Sequence, residues 1–170
     1  MMKKAARAAE ETGHDTTPES ERGPRRDTRD RRLTANLNLY WYSLKANREP
    51  PAFAMFDPTL IPALWRACLL AEREERSGLF HLADLGCALA NDSPALAPGL
   101  AIDAVPRNTL AGRALCCLAC AVSTRDAVSL EDRFRHQNGT EILYRAIGLP
   151  FLDVRGRLTY VVCAIGGKAV

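Results

Sequence analysis

An α+β fold built on an antiparallel sheet is what this 170-residue sequence predicts, and three observations carry the prediction. Asn138-Gly139 is the strongest short hairpin signal available, because both residues tolerate positive φ. Before it, Val128, Leu130, Asp132 and Phe134 fall on alternate positions, the period of a strand face. After it, a strand is expected from about Thr140 to Phe151, and then a turn at Asp153-Val154-Arg155-Gly156. Leu158–Ile165 is apolar at nearly every position, which marks a central strand covered on both faces. Gly166-Gly167 is expected to end that strand.

The earlier elements follow in chain order. Residues 1–32 are polar, with Gly13, Pro18, Gly23 and Pro24 and little apolar content beyond Ala. Such a segment cannot bury enough surface to offset its ordering entropy, so it is expected to be a disordered, dispensable tail. Order is expected from Leu33. Leu33, Leu37, Tyr40, Trp41 and Leu44 recur at helical spacing and predict an amphipathic helix over Leu33–Arg48. Glu49-Pro50-Pro51 terminates it, because a residue before proline avoids the helical region. The stripe Leu37, Tyr40, Trp41 and Leu44 has either of two uses: covering the sheet or contacting a second chain. Next, Ile61, Leu64, Trp65, Cys68 and Leu69 fit a helix, while Ala67–Glu74 and Leu79–Leu85 also fit the two arms of a hairpin. Periodicity leaves both open. Gly86 to Asp103 is looser, with short helical turns. Asn108 or Thr109 is placed to cap a helix running through Leu110–Ala121.

Composition narrows the function classes. Hydrophobic residues make up 47% and charged residues 25%, which suits a globular domain. Net charge is +3; residues 1–32 hold nine Lys or Arg against seven Asp or Glu, and the remainder fourteen against thirteen. No basic face is implied, so nucleic-acid binding is not expected. No apolar run approaches the ~18 residues of a membrane span, and no hydrophobic signal region follows the N-terminus, so a cytoplasmic protein is expected. Cys68, Cys87, Cys116, Cys117, Cys120 and Cys163 are then reduced thiols in apolar surroundings.

In this order and spacing the chain resembles the PAS-domain family, in particular the short single-PAS proteins of alphaproteobacteria. The residues that carry the resemblance are Leu39-Tyr40-Trp41-Tyr42-Ser43-Leu44, Phe56-Asp57-Pro58 with Ile61-Pro62, and Gly78-Leu79-Phe80. They continue with Leu110-Ala111-Gly112-Arg113, Tyr144-Arg145, Leu149-Pro150-Phe151 and the apolar strand Tyr160–Ile165. The resemblance implies a five-stranded antiparallel sheet, with helices on one face and the N-terminal amphipathic helix on the other. It implies a flanking helix at 33–50 and a PAS-like domain at 51–168. It also resolves the open segment, making Ile61–Trp65 a helical turn and Ala67–Glu74 the first strand. By the same resemblance the chain is a homodimer and a sensory or regulatory module with no catalytic output. Its ligand cavity would lie between sheet and helices, lined by Leu115, Leu118, Tyr144 and Val162. The alternatives are a ligand-free interaction or dimerisation adaptor and, more distantly, a thiol redox protein using Cys117 and Cys120.

The chemistry-bearing residues are sparse. Cys117-Leu118-Ala119-Cys120 is a CxxC motif, but it sits within an apolar helix rather than at a helix N-terminus, and no second pair completes a zinc site. Cys116 and Cys120 share a helical face and are expected to meet in the core. His14 falls in the tail, His81 on a strand, and His136 beside the Asn138-Gly139 turn, where it is expected to be solvated. The family's haem ligand lies between the positions of His81 and His136, where this chain has no histidine. Gly86-Cys87-Ala88-Leu89-Ala90-Asn91 does not match the Asn-Cys-Arg-Phe-like helix of the flavin-binding branch. Neither haem nor flavin is therefore expected. No serine sits in a nucleophile elbow. Arg133 and Arg145 on neighbouring strands form either a cationic spot for a carboxylate or surface pairs with Glu131 and Glu141.

Overall fold

A computed structural model describes residues 28–47 and 49–170. Its strands are β1 (Cys68–Arg73), β2 (Phe80–Leu85), β3 (Val128–Arg135), β4 (Glu141–Leu152) and β5 (Leu158–Ala169). They form one antiparallel sheet in the order β2-β1-β5-β4-β3. The helices are α1 (Thr28–Leu44), α2 (Pro62–Trp65), α3 (Cys87–Asp92), α4 (Leu110–Ala114) and α5 (Leu118–Thr124). The expected α+β, five-stranded antiparallel architecture is what the chain forms.

The sheet is covered on both faces, as the unbroken apolar run of β5 requires. Val161, Cys163 and Ile165 point to the inner face, where α3, α4 and α5 contribute Leu89, Ala111, Ala114, Leu118 and Ala121. Val162 and Ala164 point to the outer face, beneath Leu37 and Trp41 of α1 and the aromatic segment containing Phe53, Phe56 and Trp65. Contrary to expectation, Gly166-Gly167 does not end β5. The ladder continues through Gly166 opposite Arg145 and Gly167 opposite Tyr144, and the strand runs to Ala169. At Gly167 the missing side chain admits Leu110, whose Cδ2 lies 3.3 Å from where a Cβ would stand.

α1 begins at Thr28, five residues before the expected start, and ends at Leu44 rather than Arg48. The composition argument averaged over residues 1–32 misses this first turn; residues 1–27 and Arg48 lie outside the described residues. The helix closes with a short bond from Lys45 N–H to the Tyr42 carbonyl (3.2 Å), and the Lys45 ammonium then pairs with Asp126 at 3.1 Å. Leu37 and Trp41 are fully buried against the chain's own sheet, while Tyr40 and Leu44 pack at the edge of that cluster. The stripe therefore covers the sheet. Leu37 and Trp41 have no surface left for a second chain, whereas Leu39 and Tyr42 on the opposite side of α1 are exposed.

Trp41 also accounts for a proline inside a strand. The His136 N–H donates to the Thr140 carbonyl (2.8 Å), so even-numbered residues of β4 direct their backbone groups toward β3. β3 begins opposite Gly148, so at Pro150 no strand among the described residues faces that side, and proline's missing N–H costs no ladder bond. The Pro150 carbonyl accepts the Trp41 indole N–H at 2.8 Å.

The expected continuous helix over Leu110–Ala121 is broken into α4, a 3-10 turn at Leu115–Cys117, and α5. Thr109 caps it as expected, its hydroxyl accepting from Gly112 N–H at 3.1 Å. Arg125, in the left-handed region at φ 55°, terminates α5. The tightened turn sits where Cys117 meets the β4 backbone: a Cβ at Gly148 would stand 3.0 Å from Cys117 Cβ and 3.1 Å from its carbonyl oxygen. Contact with the sheet thus selects the local 3-10 geometry.

Candidate functional site

The inner face holds the described candidate site, a polar cluster set into the apolar layer between β3, β4 and the helices. Phe134 and Tyr144, diagonal neighbours on these two strands, form an edge-on pair at 5.5 Å, and the Arg113 guanidinium from α4 lies over the Phe134 ring at 4.9 Å. Burial pushes the Tyr144 hydroxyl above its ordinary range, with Cys116 and Asp132 acting in the same direction and Arg113 against it. Tyr144 therefore stays protonated at neutral pH, as a hydrogen-bonding group rather than a base.

His136 is buried, not solvated as its position beside the turn suggested. Its Nδ1 accepts the Asn138 N–H at 3.3 Å. Nε2 stands 3.0 Å from Asp92 Oδ1 at the end of α3, an ion-pair distance without hydrogen-bond alignment. The second Asp92 oxygen accepts Leu110 N–H at 3.0 Å, capping α4. Gln137 adds two bonds, Nε2 to the Asp92 carbonyl (3.1 Å) and N–H to the Asn108 carbonyl (2.9 Å). The β3–β4 turn is thereby fastened to both α3 and α4. Nothing in the local sequence separates this histidine from a surface one; the only signal is its place one residue past a strand whose inward residues are Phe134 and Leu130. Replacing His136 by Ala should leave the Asp92 carboxylate largely desolvated without its partner. A loss of about 1–3 kcal/mol is expected in urea unfolding, and no measurable loss would show that the contact carries no weight.

Three of the four expected cavity residues share this face. Leu118 and Tyr144 are buried in the inner layer, and Leu115 packs against it. Val162 does not join them. It points to the outer face beneath α1, because β5 alternates and its inward positions are Val161 and Cys163. Arg133 and Arg145 form surface pairs, Arg145 with Glu131 directly opposite and Arg133 at 3.7 Å from Glu141.

The thiols divide by burial. All six cysteines are free; Cys68, Cys117 and Cys163 are buried, whereas Cys87, Cys116 and Cys120 are exposed. Cys116 and Cys120 thus face solvent rather than meeting in the core, because the turn at Leu115–Cys117 directs Cys117 inward. Burial pushes the Cys117 thiol up to about 11 and Cys68 to about 12, and holds Cys163 well above the ordinary value. A thiol at that value is protonated at neutral pH and gives no nucleophile. In the folded protein at pH 8, iodoacetamide should label Cys87, Cys116 and Cys120 and spare the other three, as read by peptide mass spectrometry. Labelling of Cys117 at the same rate would contradict this division.

A groove of about 810 Å3 runs between the β1–β2 and β4–β5 hairpins. At one end its charges form a network: Glu75 receives Arg157 at 2.7 Å and Arg155 at 3.2 Å, and Arg157 also meets Asp153 at 2.9 Å. Hydrogen bonds from Arg157 and Arg155 hold the Asp153 carboxyl down at about 2. Because that value is depressed, the hairpin contact is intact above the ordinary carboxylate range and is lost as pH falls toward 2. A carboxyl NMR titration of Asp153 should show this low midpoint; an ordinary one would mean the network is open in solution.

No family model matches the chain, and no curated protein matches it. Solved structures do. An RNA-binding light-oxygen-voltage receptor aligns with 69% of this chain at 17% identity and TM-score 0.43, and the aligned part is 36% of that chain. A sensory box histidine kinase/response regulator from Burkholderia thailandensis aligns with 65% of this chain and 84% of its own, at 15% identity and TM-score 0.34. A PAS domain from Colwellia psychrerythraea aligns with 67% of this chain and 98% of its own, at 12% identity and TM-score 0.40.

Proposed function

We propose that this chain is a PAS-type sensory or regulatory module of the cytoplasm, without catalytic output, that passes its signal by contact with other protein chains, its own copies included. The observation that supports a contact-based output is the direct seating of the α4–α5 segment on the sheet. Gly148 and Gly167 leave room for Cys117 and Leu110, which would stand only 3.0 and 3.3 Å from a Cβ at those positions, in the layer where a small molecule would otherwise lie. Leu115, Leu118 and Tyr144 are used there as core. The β3–β4 turn, latched to α3 and α4 through Asp92, His136 and Gln137, ties the inner helices mechanically to the sheet. Any partner that moves the turn therefore moves the helices.

The test is native mass spectrometry of the purified protein, with affinity capture from its host. An empty chain that retains a specific protein partner supports this reading. A stoichiometric small molecule retained on the chain would overturn it in favour of a ligand sensor.

A further inference from the structure

The two outer strands of the sheet are treated differently. The edge of β2 is covered: Leu82 N–H donates to the Leu100 carbonyl (2.8 Å), and Gly99 N–H donates to the Leu82 carbonyl (2.7 Å). β3, at the other side, pairs only with β4 among the described residues. The bond from His136 N–H to Thr140 sets the alternation along β3: even-numbered residues bond toward β4, and Ser129, Glu131, Arg133 and Arg135 direct their N–H and C=O groups outward. The Arg133 N–H agrees with this assignment, since it is held by the neighbouring Asp132 carboxylate (2.8 Å) and not by a strand.

We propose that this edge pairs antiparallel with β3 of a second copy, about a twofold axis at Asp132. The outward alternation admits pairing only of odd residues with odd residues. With the axis at Asp132, Glu131 lies opposite Arg133 of the second copy, twice by symmetry. Moving the axis one residue either way sets Glu131 against Glu131 or Arg133 against Arg133. The correct register also extends a pattern already present. Glu131 pairs with Arg145, and Arg133 lies beside Glu141. The outer face would therefore carry alternating charges across four strands, from Arg145 and Glu131 of one chain to Arg133 and Glu141 of the other.

Asp132 opposes this union. On the inner face it would meet its own copy with Cα atoms about 4.5 Å apart, and it must release the Arg133 N–H. It acts as a gate that keeps the edge from pairing indiscriminately. The proposal deepens the self-association contained in the reading above and does not depend on whether a small molecule is bound.

The experiment is sedimentation equilibrium of the full chain at low salt, with a thermal melt of each variant. Asp132→Asn should associate about tenfold more tightly than wild type, and Glu131→Arg and Arg133→Glu should each weaken association by about tenfold or more. Mixing the two reversed variants should restore a heterodimer, because every cross-chain pair is then of opposite sign. Glu131→Pro removes an outward N–H without breaking a β4 bond and should melt normally as a monomer. Wild type and Asp132→Asn that both stay monomeric at high micromolar concentration would overturn the proposal and the self-association it deepens. A dimer that persists in Glu131→Pro, or a mixture that fails to restore association, would overturn this edge alone.

Discussion

Replacing Trp41 by Ala should cost about 3–5 kcal/mol of unfolding free energy, the largest single effect expected in this chain. The indole is fully buried between α1 and the outer face of β4 and β5, so its removal opens a cavity that its rigid neighbours cannot close. It also strips the donor from the Pro150 carbonyl. Trp41→Phe separates the two contributions: it keeps most of the packing and loses the hydrogen bond, with about 1–3 kcal/mol expected. Urea unfolding of both variants is the measurement. Because Leu37 and Trp41 are spent on the chain's own sheet, the Ala variant is expected to lose stability without a matching loss of association once it is folded at low temperature. A Trp41→Ala protein as stable as wild type would mean that α1 does not sit on the sheet in solution.

The second large effect is expected at Gly112 in α4. A Cβ there would lie 2.1 Å from the Pro106 carbonyl oxygen and 2.9 Å from Arg107 Cα, both backbone atoms that cannot rotate away. Gly112→Ala ordinarily favours a helix by about 1 kcal/mol. Here the sign reverses, because α4 must move off the Pro106–Thr109 loop that caps it. A loss of about 3 kcal/mol, at the upper end of overpacking, is expected. Displacement of α4 also strains the Asp92–Leu110 contact and with it the latch on the β3–β4 turn. Thermal melting and the amide signals of Leu110 and Gln137 report the two consequences. A stabilised Gly112→Ala variant would show that the loop has room to yield.

The elements legible in the sequence were those with a local physical cause. The Asn138-Gly139 turn, with Gly139 at φ 87°, follows from backbone sterics at two residues. The central position of β5 follows from a run too apolar to show water on either side. The apolar stripe of α1 follows from helical spacing alone, though not what it covers, and a helix cap at Asn108 or Thr109 from polar side chains before an apolar run. These need no knowledge of what lies across the fold. The strand assignment of residues 68–73, by contrast, needed the family resemblance, since its apolar residues fit two periods equally well.

What the tertiary structure decided were matters of partnership. The family resemblance placed Val162 among the cavity residues, but the strand's parity, set by its pairing with β1 and β4, turned it toward α1. A histidine beside a turn reads as solvated until Asp92, distant in sequence, arrives to bury it. Cys116, Cys117 and Cys120 look alike along the chain; close approach to Gly148 tightened the turn and sent only Cys117 inward. Gly166-Gly167 has the composition of a strand end, yet β4 supplied a ladder that carried β5 onward. In each case the sequence by itself determined the residue's intrinsic preference, and a contact between distant segments, worth more than that preference, decided its place.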